Sequence, residues 1–581
     1  MEKSHKEHPK LNQFYATAIC GNDILSSALY VSGIAAIFAG VYAPIVLLII
    51  GIVLYLYKSV YTEVVEALPI NGGAYNCLLN GTSKTFAAVA GVMTILSYVA
   101  TAVLSAKVAI EYLNTIVHIP VIPSTIVLLF AFAILVITGI KDSAKVALVI
   151  FAVHIITLLG FLGLGLLYYF HGVSQFAENI THTTDIITRQ GGMFQTIYLA
   201  FSASLLGVSG FESSANFVEE QAAGVFRKTL RNMLIGVAFF NPLISLVVLN
   251  SMPLDAIIGA KDFLLADAAH IIGGDVFKYV VAIDAFLVLA GAVLTSFVGV
   301  SGLIYRMSAD ACLPSFFTQQ NSKGSYPRII IAFFILCSSI LVITGGNLLS
   351  LAGVYTIAFL GVMSSFAFGN LILKESRTEL KRTYKAPLIF VILAFMATFM
   401  GIFGNIRIDI NNLKFFELYF VPSILVVLFI IYQDYVLKFA LRMTKHLPIL
   451  NKLIYRKFSD LVEGRFVVFI NHLHRIYPIL EYINRNETGY NITLIHCASD
   501  DSKHHKEMTE QIKTLIPELK KAGVMPHLNI DFMQAKKPFG PELVEEISNK
   551  LHIRKNRMFI GSIHHFHAFD YAQLGGVRII F

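Results

Sequence analysis

The sequence has no tryptophan, few charges and only five cysteines, and each scarcity excludes something. Charged residues make up 14% of the 581 positions, against about a quarter in soluble globular proteins, so an ordinary soluble enzyme is excluded. Cys20, Cys77, Cys312, Cys337 and Cys497 show no CxxC spacing, which argues against a zinc site or a disulfide framework. Without tryptophan, any interfacial aromatic belt has to be built from the 25 tyrosines and the 45 phenylalanines. The polar start, Met1 to Lys10, leads into an apolar run too long for a cleaved signal peptide. Disorder is excluded for most of the chain, since 56% of it is hydrophobic. The net charge of +8 reads as loop Lys and Arg of a membrane protein, with no nucleic acid as partner.

The charge is also uneven. The last 141 residues hold 34 charged positions, about 24%, whereas the first 440 hold 48, about 11%. A large membrane body is therefore followed by a tail of soluble composition. Apolar runs occur near 14–40, 44–67, 85–113, 122–140, 146–170, 195–217, 230–251, 277–304, 329–345, 347–373, 387–405 and 416–437. Runs of about 20 residues match a bilayer core of about 30 Å, and lipid admits only helices or closed barrels. Twelve membrane helices are predicted. With the N-terminus inside, inner segments carry seventeen Lys and Arg against five outside, which places both termini in the cytoplasm.

Ionisable groups within these runs are costly and mark function by default. Asp23 stands in Gly21-Asn22-Asp23-Ile24-Leu25-Ser26-Ser27-Ala28-Leu29-Tyr30, where Asn, Asp and paired Ser compete with helical bonding. A helix broken there presents oxygens to a substrate; a capping role for Asp23 is the plainer alternative. The sixth run repeats the theme in Gly207-Val208-Ser209-Gly210-Phe211-Glu212-Ser213-Ser214-Ala215-Asn216. Its spacing of five helices from the first suits an inverted repeat, and close packing of small residues is the alternative. Ser97, Thr101 and Ser105 fall four apart on one face of the third run, either lining a path or bonding back to carbonyls. Lys107 and Glu111 are spaced for a mutual ion pair, and Asp284 has no sequence-local partner. His154, mid-way along the fifth run, suits proton exchange, with an unperturbed pKa of about 6.5, or serves packing.

Together these motifs resemble the amino acid–polyamine–organocation (APC) superfamily. The Asp23 stretch is similar to the first-helix signature of its KUP-type potassium importers. Pro69-Ile70-Asn71-Gly72-Gly73-Ala74-Tyr75 resembles the P-x-x-G-G-x-Y that follows helix 2. Gly139-Ile140-Lys141-Asp142-Ser143-Ala144-Lys145-Val146 resembles the entrance to helix 5. Gly210-Phe211-Glu212 with Glu219-Glu220 resembles the sixth-helix motif, and Tyr305 to Pro314 the one after helix 8. The five stand in the family's order across about 440 residues. The resemblance implies an all-α membrane body with a LeuT-like 5+5 inverted repeat, helices 1 and 6 broken at the substrate site, and alternating access.

Carried over from the potassium-importing branch, the ion or proton site falls on Asp23, Tyr30, Thr101, Ser105 and Ser209, while the third-helix Asp of that branch is Ser97 here. Ser26 and Ser27 replace the glycines of amino-acid members, and Glu212 joins the binding set. Several proton-coupled members carry a Lys twelve residues beyond the acid of the helix-5 motif; here that position is His154. Asp23 and His154 are accordingly the proton-coupling residues.

The tail reads as amphipathic connecting helices over 441–488, then a cytoplasmic α/β domain over 489–581 with a regulatory or dimerising role. No GxGxxG or P-loop occurs, and His564, His565 and His567 lack companion ligands. No metal or cofactor is predicted. The body lacks a T-V-G-Y-G filter, an HExxH and a GxSxG, which argues against a channel or a membrane enzyme. The expected function is proton-coupled import of an amino acid or related organic cation. The alternatives are potassium:proton symport and a non-transporting receptor. The expected location is a bacterial inner membrane, and the partners are the substrate, protons and lipid, with a homodimer and a small ligand on the tail compatible with this reading.

Overall fold

The computed structural model describes residues 10–139, 143–172, 174–216, 218–378, 380, 382–470, 472–489, 491–497, 503–521, 527–561 and 574–580. The chain divides into two compact units. One comprises Met1–Gly81, Val89–Ile304 and Gln319–Ser423, the other Thr82–Ala88, Tyr305–Thr318 and Ile424–Phe581.

The first unit is helical. The helices with all or most of their residues in it are α1 (Gln13–Leu25), α2 (Ala28–Ala39), α3 (Ala43–Ala67), α4 (Gly73–Gly81), α5 (Lys84–Asn114), α6 (Val121–Ile137), α7 (Ser143–Phe170) and α8 (Phe176–Gln190). They continue as α9 (Met193–Ser204), α10 (Val225–Ser251), α11 (Leu254–Gly259), α12 (Leu264–Ala309), α13 (Pro327–Ile343), α14 (Leu348–Ser376), α15 (Leu388–Ile408) and α16 (Ile410–Ile431). Among the described residues, nine stretches are long and apolar enough to cross a membrane, the longest being Gln13–Ala67, and α6 and α13 are shorter apolar helices. The chain is a multi-pass membrane protein.

Sequence pattern explains which faces turn inward. On α7, Val149, Val153 and Ile156 are exposed at helical spacing, while His154, Leu158 and Phe161 are fully buried along another stripe. That buried stripe packs toward α1 and α10. Helix α12 contains Gly274 at φ 75°, a left-handed residue that only glycine adopts cheaply, so the helix bends there.

The first predicted break is shallow. Between α1 and α2, Ser26 and Ser27 keep right-handed helical angles, but the bonding tightens to three-residue spacing: Ser27 N to Ile24 O, Leu29 N to Ser26 O and Tyr30 N to Ser27 O. Their hydroxyls donate back to Asp23 O and Ile24 O, at 2.7 and 2.6 Å, the local competition that serine offers a helix. The second break is deep. After α9 the chain makes a 3₁₀ turn at Leu205–Val208, passes through extended Ser209 and left-handed Gly210 (φ 90°), and resumes as a 3₁₀ turn at Glu212–Asn216.

In the second unit, α17 (Gln433–Met443) and α18 (Pro448–Val462) precede a sheet of β1 (Arg465–Ile470), β2 (Asn491–Cys497), β3 (Asn529–Ala535), β4 (Met558–Gly561) and β5 (Arg578–Ile580), with α19 (Ile476–Asn486), α20 (Lys503–Lys521) and α21 (Pro541–Leu551) between strands. All neighbouring strands are parallel, in the order β3-β2-β1-β4-β5. The reading of 441–488 as connecting helices alone is corrected here: Arg465–Ile470 is the central strand. A strand flanked on both sides and buried on both faces carries no polar alternation, and a short apolar run without alternation is not separable from a helix segment by period. His564, His565 and His567 lie outside the described residues.

Candidate functional site

The two breaks meet. The single Ser27 hydroxyl proton is shared between Ile24 O and Gly207 O, the latter 3.0 Å away, tying the tightened turn of the first break to the opened chain of the second. Beside that tie, Gly210 brings two carboxylates together. Its amide donates to Glu212 Oε2 at 3.0 Å, and a methyl built on its α-carbon would lie 2.8 Å from Asp23 Cγ. Only glycine fits that position, for its left-handed φ and for the space.

Further oxygens converge on the pair. Ser97 Oγ donates to Glu212 Oε1 at 3.2 Å, and Ser213 hydrogen-bonds the Asp23 carboxylate. Tyr30 reaches Ser209 through its hydroxyl. Asp23, Ser26, Ser27, Tyr30, Ser97, Thr101, Ser105, Ser209 and Glu212 are all buried, so the arrangement is occluded. Of the hydroxyl stripe on α5, Ser97 faces Glu212, whereas Thr101 donates back to Ser97 O at 2.8 Å. The serines at the first break donate to carbonyls, which leaves their oxygens free to accept.

Charge compensation separates this pair from the rest. Glu63 is paired with Lys374 and Arg382, Asp284 with His154, Asp310 with Arg306 and Arg578, and Asp434 with Lys438. Among the described residues, Asp23 and Glu212 are the buried carboxylates that pair with no Lys, Arg or His side chain. Two uncompensated carboxylates held together in a dry site are costly unless a cation or protons balance them. Apart from the Gly210 amide, the groups that bond them are hydroxyl oxygens, the ligand type of hard cations.

Sequence reasoning missed a ring of tyrosines here. Tyr61 on α3 and Tyr355 on α14 lie within electrostatic reach of Glu212; the Tyr355 hydroxyl reaches Ser209, and the buried Tyr61 hydroxyl has no hydrogen-bond partner among the described residues. Tyr98, next to Ser97, accepts from Asn216 Nδ2 at 2.6 Å. Pooling the tyrosines as belt residues hid them; the adjacency of Tyr98 to the hydroxyl stripe was the available signal.

His154 and Asp284 come together away from the pair, with Nδ1 and Oδ2 at 2.7 Å. Asp284 on α12, which has no sequence-local partner, is thereby placed against α7. Lys107 pairs with Glu111 at 3.1 Å as the spacing predicts, and also with Asp262. The motif after helix 2 proves to be a clasp: Asn71 N donates to Glu219 Oε1 at 2.9 Å, its side chain to Glu220 at 3.0 Å, and Glu219 N donates back to Asn71 Oδ1 at 3.1 Å. Leu11, ahead of α1, donates to Glu220 O at 2.7 Å.

The chain is similar to the potassium transporter KimA of Bacillus subtilis (strain 168), with 21% identity over 360 residues, 60% of this chain and 59% of that protein's length. It also resembles a mutant manganese transporter of Eremococcus coleocola, at 13% identity and a TM-score of 0.47, covering 77% of this chain and 95% of that one. Residues 11–431 match the Amino acid permease family. The chain belongs to that family, within the amino acid–polyamine–organocation superfamily, and is a transporter-type membrane protein rather than an enzyme.

Proposed function

We propose that the chain is a proton-coupled permease that imports a cation by alternating access, with potassium as the substrate the site suits best. The observation that carries this reading is the Asp23–Glu212 pair, buried without a basic partner among the described residues and surrounded by hydroxyl oxygens. A bound monovalent cation would balance one charge and a proton the other. We therefore put potassium ahead of the amino acid that the motifs alone suggested, and the similarity to KimA supports that order. The site then consists of Asp23, Tyr30, Ser97, Ser209 and Glu212, with Ser26, Ser27, Thr101 and Ser105 along the path, and His154 serves proton coupling.

A second reading is favoured by the family's description: an amino acid or related organic cation, whose ammonium group would meet the same two carboxylates. In either case we read twelve spans in a 5+5 inverted repeat, with both termini cytoplasmic. The stretch Gln13–Ala67 is 55 residues long, enough helix at about 1.5 Å per residue to cross twice, which supports that count. The test is a competition screen of labelled amino acids and rubidium in proteoliposomes with an imposed proton gradient. Uptake of rubidium, driven by the gradient and displaced by potassium, is the expected result. Displacement by an amino acid would favour the second reading, and uptake of neither would refute both.

A further inference from the structure

We propose that the helical hairpin α17–α18 is a membrane-docking surface selective for anionic phospholipid. It lies wholly in the second unit, where it follows the last residues of α16, Ile424–Ile431. The hairpin is closed from within. Asn451 Nδ2 donates to Leu441 O at 2.9 Å and to Thr444 Oγ1 at 3.2 Å. Lys438 lies over the rings of Tyr435 and Phe458, at 5.2 and 5.8 Å.

Outward, the hairpin is apolar. Tyr435, Phe439 and Met443, four apart on α17, are 65%, 63% and 68% exposed, and Ile449 and Leu453, four apart on α18, are 79% and 61% exposed. Helices α19 and α21 of the same unit do the opposite: Ile476, Ile479, Leu480 and Ile483 are buried, as are Leu543, Val544 and Ile547. Apolar stripes left open over two successive helices mark a binding surface. This one is also continuous with a membrane span. At the end of the apolar stretch Ile410–Ile431, Leu425 and Phe429 are 58% and 60% exposed, and Tyr432 and Tyr435 extend the series at three-residue spacing.

The charge names the occupant. The hairpin carries Lys438, Arg442, Lys445, Lys452, Arg456 and Lys457, all exposed, against Asp434 and Asp460. Lys438, Arg442 and Lys452 each precede a residue of an apolar stripe by one position, about 100° round the helix, so cations border the stripes. A helix of that make-up lies in the headgroup plane, with its apolar stripe at the acyl boundary and its long cationic side chains reaching phosphates. A second copy of the chain is the poorer fit, because the cores of protein interfaces are depleted of lysine. The apolar stripes would meet any bilayer, but the basic border gains attraction only where the surface is negative.

The chain has no tryptophan, so one introduced tryptophan reports alone. The test places Phe439→Trp in the full-length protein in nanodiscs, and reads its emission and its quenching by lipids brominated along the acyl chain. In discs of equal parts phosphatidylcholine and phosphatidylglycerol, blue-shifted emission quenched about 2-fold or more is expected. That quenching should fall by at least half in phosphatidylcholine alone, and equally in a variant that adds Arg442→Gln, Lys445→Gln, Arg456→Gln and Lys457→Gln. It should also weaken between about 0.1 M and about 1 M salt, where the screening length drops from about 10 Å to about 3 Å. Ile449→Trp on α18 gives the same readout if Phe439→Trp does not fold. Three results would overturn the proposal. Water-like, unquenched emission in the anionic discs would leave the face in solvent. Blue-shifted emission without quenching would mean that another segment or a second copy covers it. Quenching that is equal with and without phosphatidylglycerol would mean that the basic residues select no lipid.

Discussion

Two of the places where this chain buries acid are built on opposite terms. In the second unit, Glu487 is met by Lys84 at 2.9 Å and by Arg578, while Arg578 also donates to Asn556 O at 2.7 Å and faces Asp310 at 3.9 Å. Arg306 lies on the other side of Asp310 at 3.5 Å. In the first unit, Asp23 and Glu212 meet hydroxyls, an amide and each other's field, with no basic side chain among the described residues. Acid that is matched by fixed cations holds structure together; acid left unmatched is poised for a mobile one. On these terms the Glu487 cluster is structural, and the Asp23–Glu212 pair is suited to the cation proposed above.

The largest effect that would break this contrast is at Asp23. Asp23→Asn should abolish coupled uptake while leaving a monodisperse, folded protein, since no ion pair is lost; normal uptake would remove Asp23 from the site. Gly210→Ala should come next, because its methyl would enter the space of Asp23 Cγ and strain a left-handed backbone. Uptake close to wild type would mean that the two carboxylates do not share that glycine. Glu212→Gln should raise KM for the cation about 10- to 100-fold, the loss of one charge-assisted contact of about 1.5–3 kcal/mol, measured by concentration dependence of uptake.

The matched cluster should behave in the opposite way. Glu487→Gln would leave Arg578 and Lys84 short of a counter-ion, at a stability cost of about 3–5 kcal/mol, with KM for the cation unchanged. Burial pushes the Glu487 carboxyl up, but Arg578 and Lys84 beside it more than reverse this and hold it below the usual carboxylate range. A depressed value stabilises the fold above the ordinary carboxylate pKa of about 4.3 and loses that contribution as pH falls through the lower folded value. Acid unfolding of the tail should therefore begin below about pH 4 and shift in Glu487→Gln. The smallest effect is at Ser27, where Ser27→Ala removes its bond to Gly207 O and should slow transport about 3- to 10-fold, for about 0.5–1.5 kcal/mol.

Much of this was legible in the chain. Long apolar runs exposed the body, and the small polar clusters around Asp23 and Glu212 marked both breaks, because a membrane helix tolerates such residues only for a reason. What stayed hidden depends on approach between distant segments. Nothing near Asp284 in sequence names His154, and nothing near Tyr355 or Tyr61 names Glu212. The depth of the breaks was also unreadable: serines tighten the first by bonding their own carbonyls, while a single left-handed glycine opens the second. In the tail, Arg465–Ile470 carries no alternation because both of its faces are buried, so its role as the central strand emerges only from pairing.

The central claim is that the uncompensated pair is the seat of the cation. Equilibrium binding of rubidium to the purified protein, compared with the Asp23→Asn and Glu212→Gln variants, tests it most directly. The account predicts saturable binding displaced by potassium in the wild type, lost in Asp23→Asn and weakened in Glu212→Gln. Rubidium binding that is unchanged in both variants would contradict it.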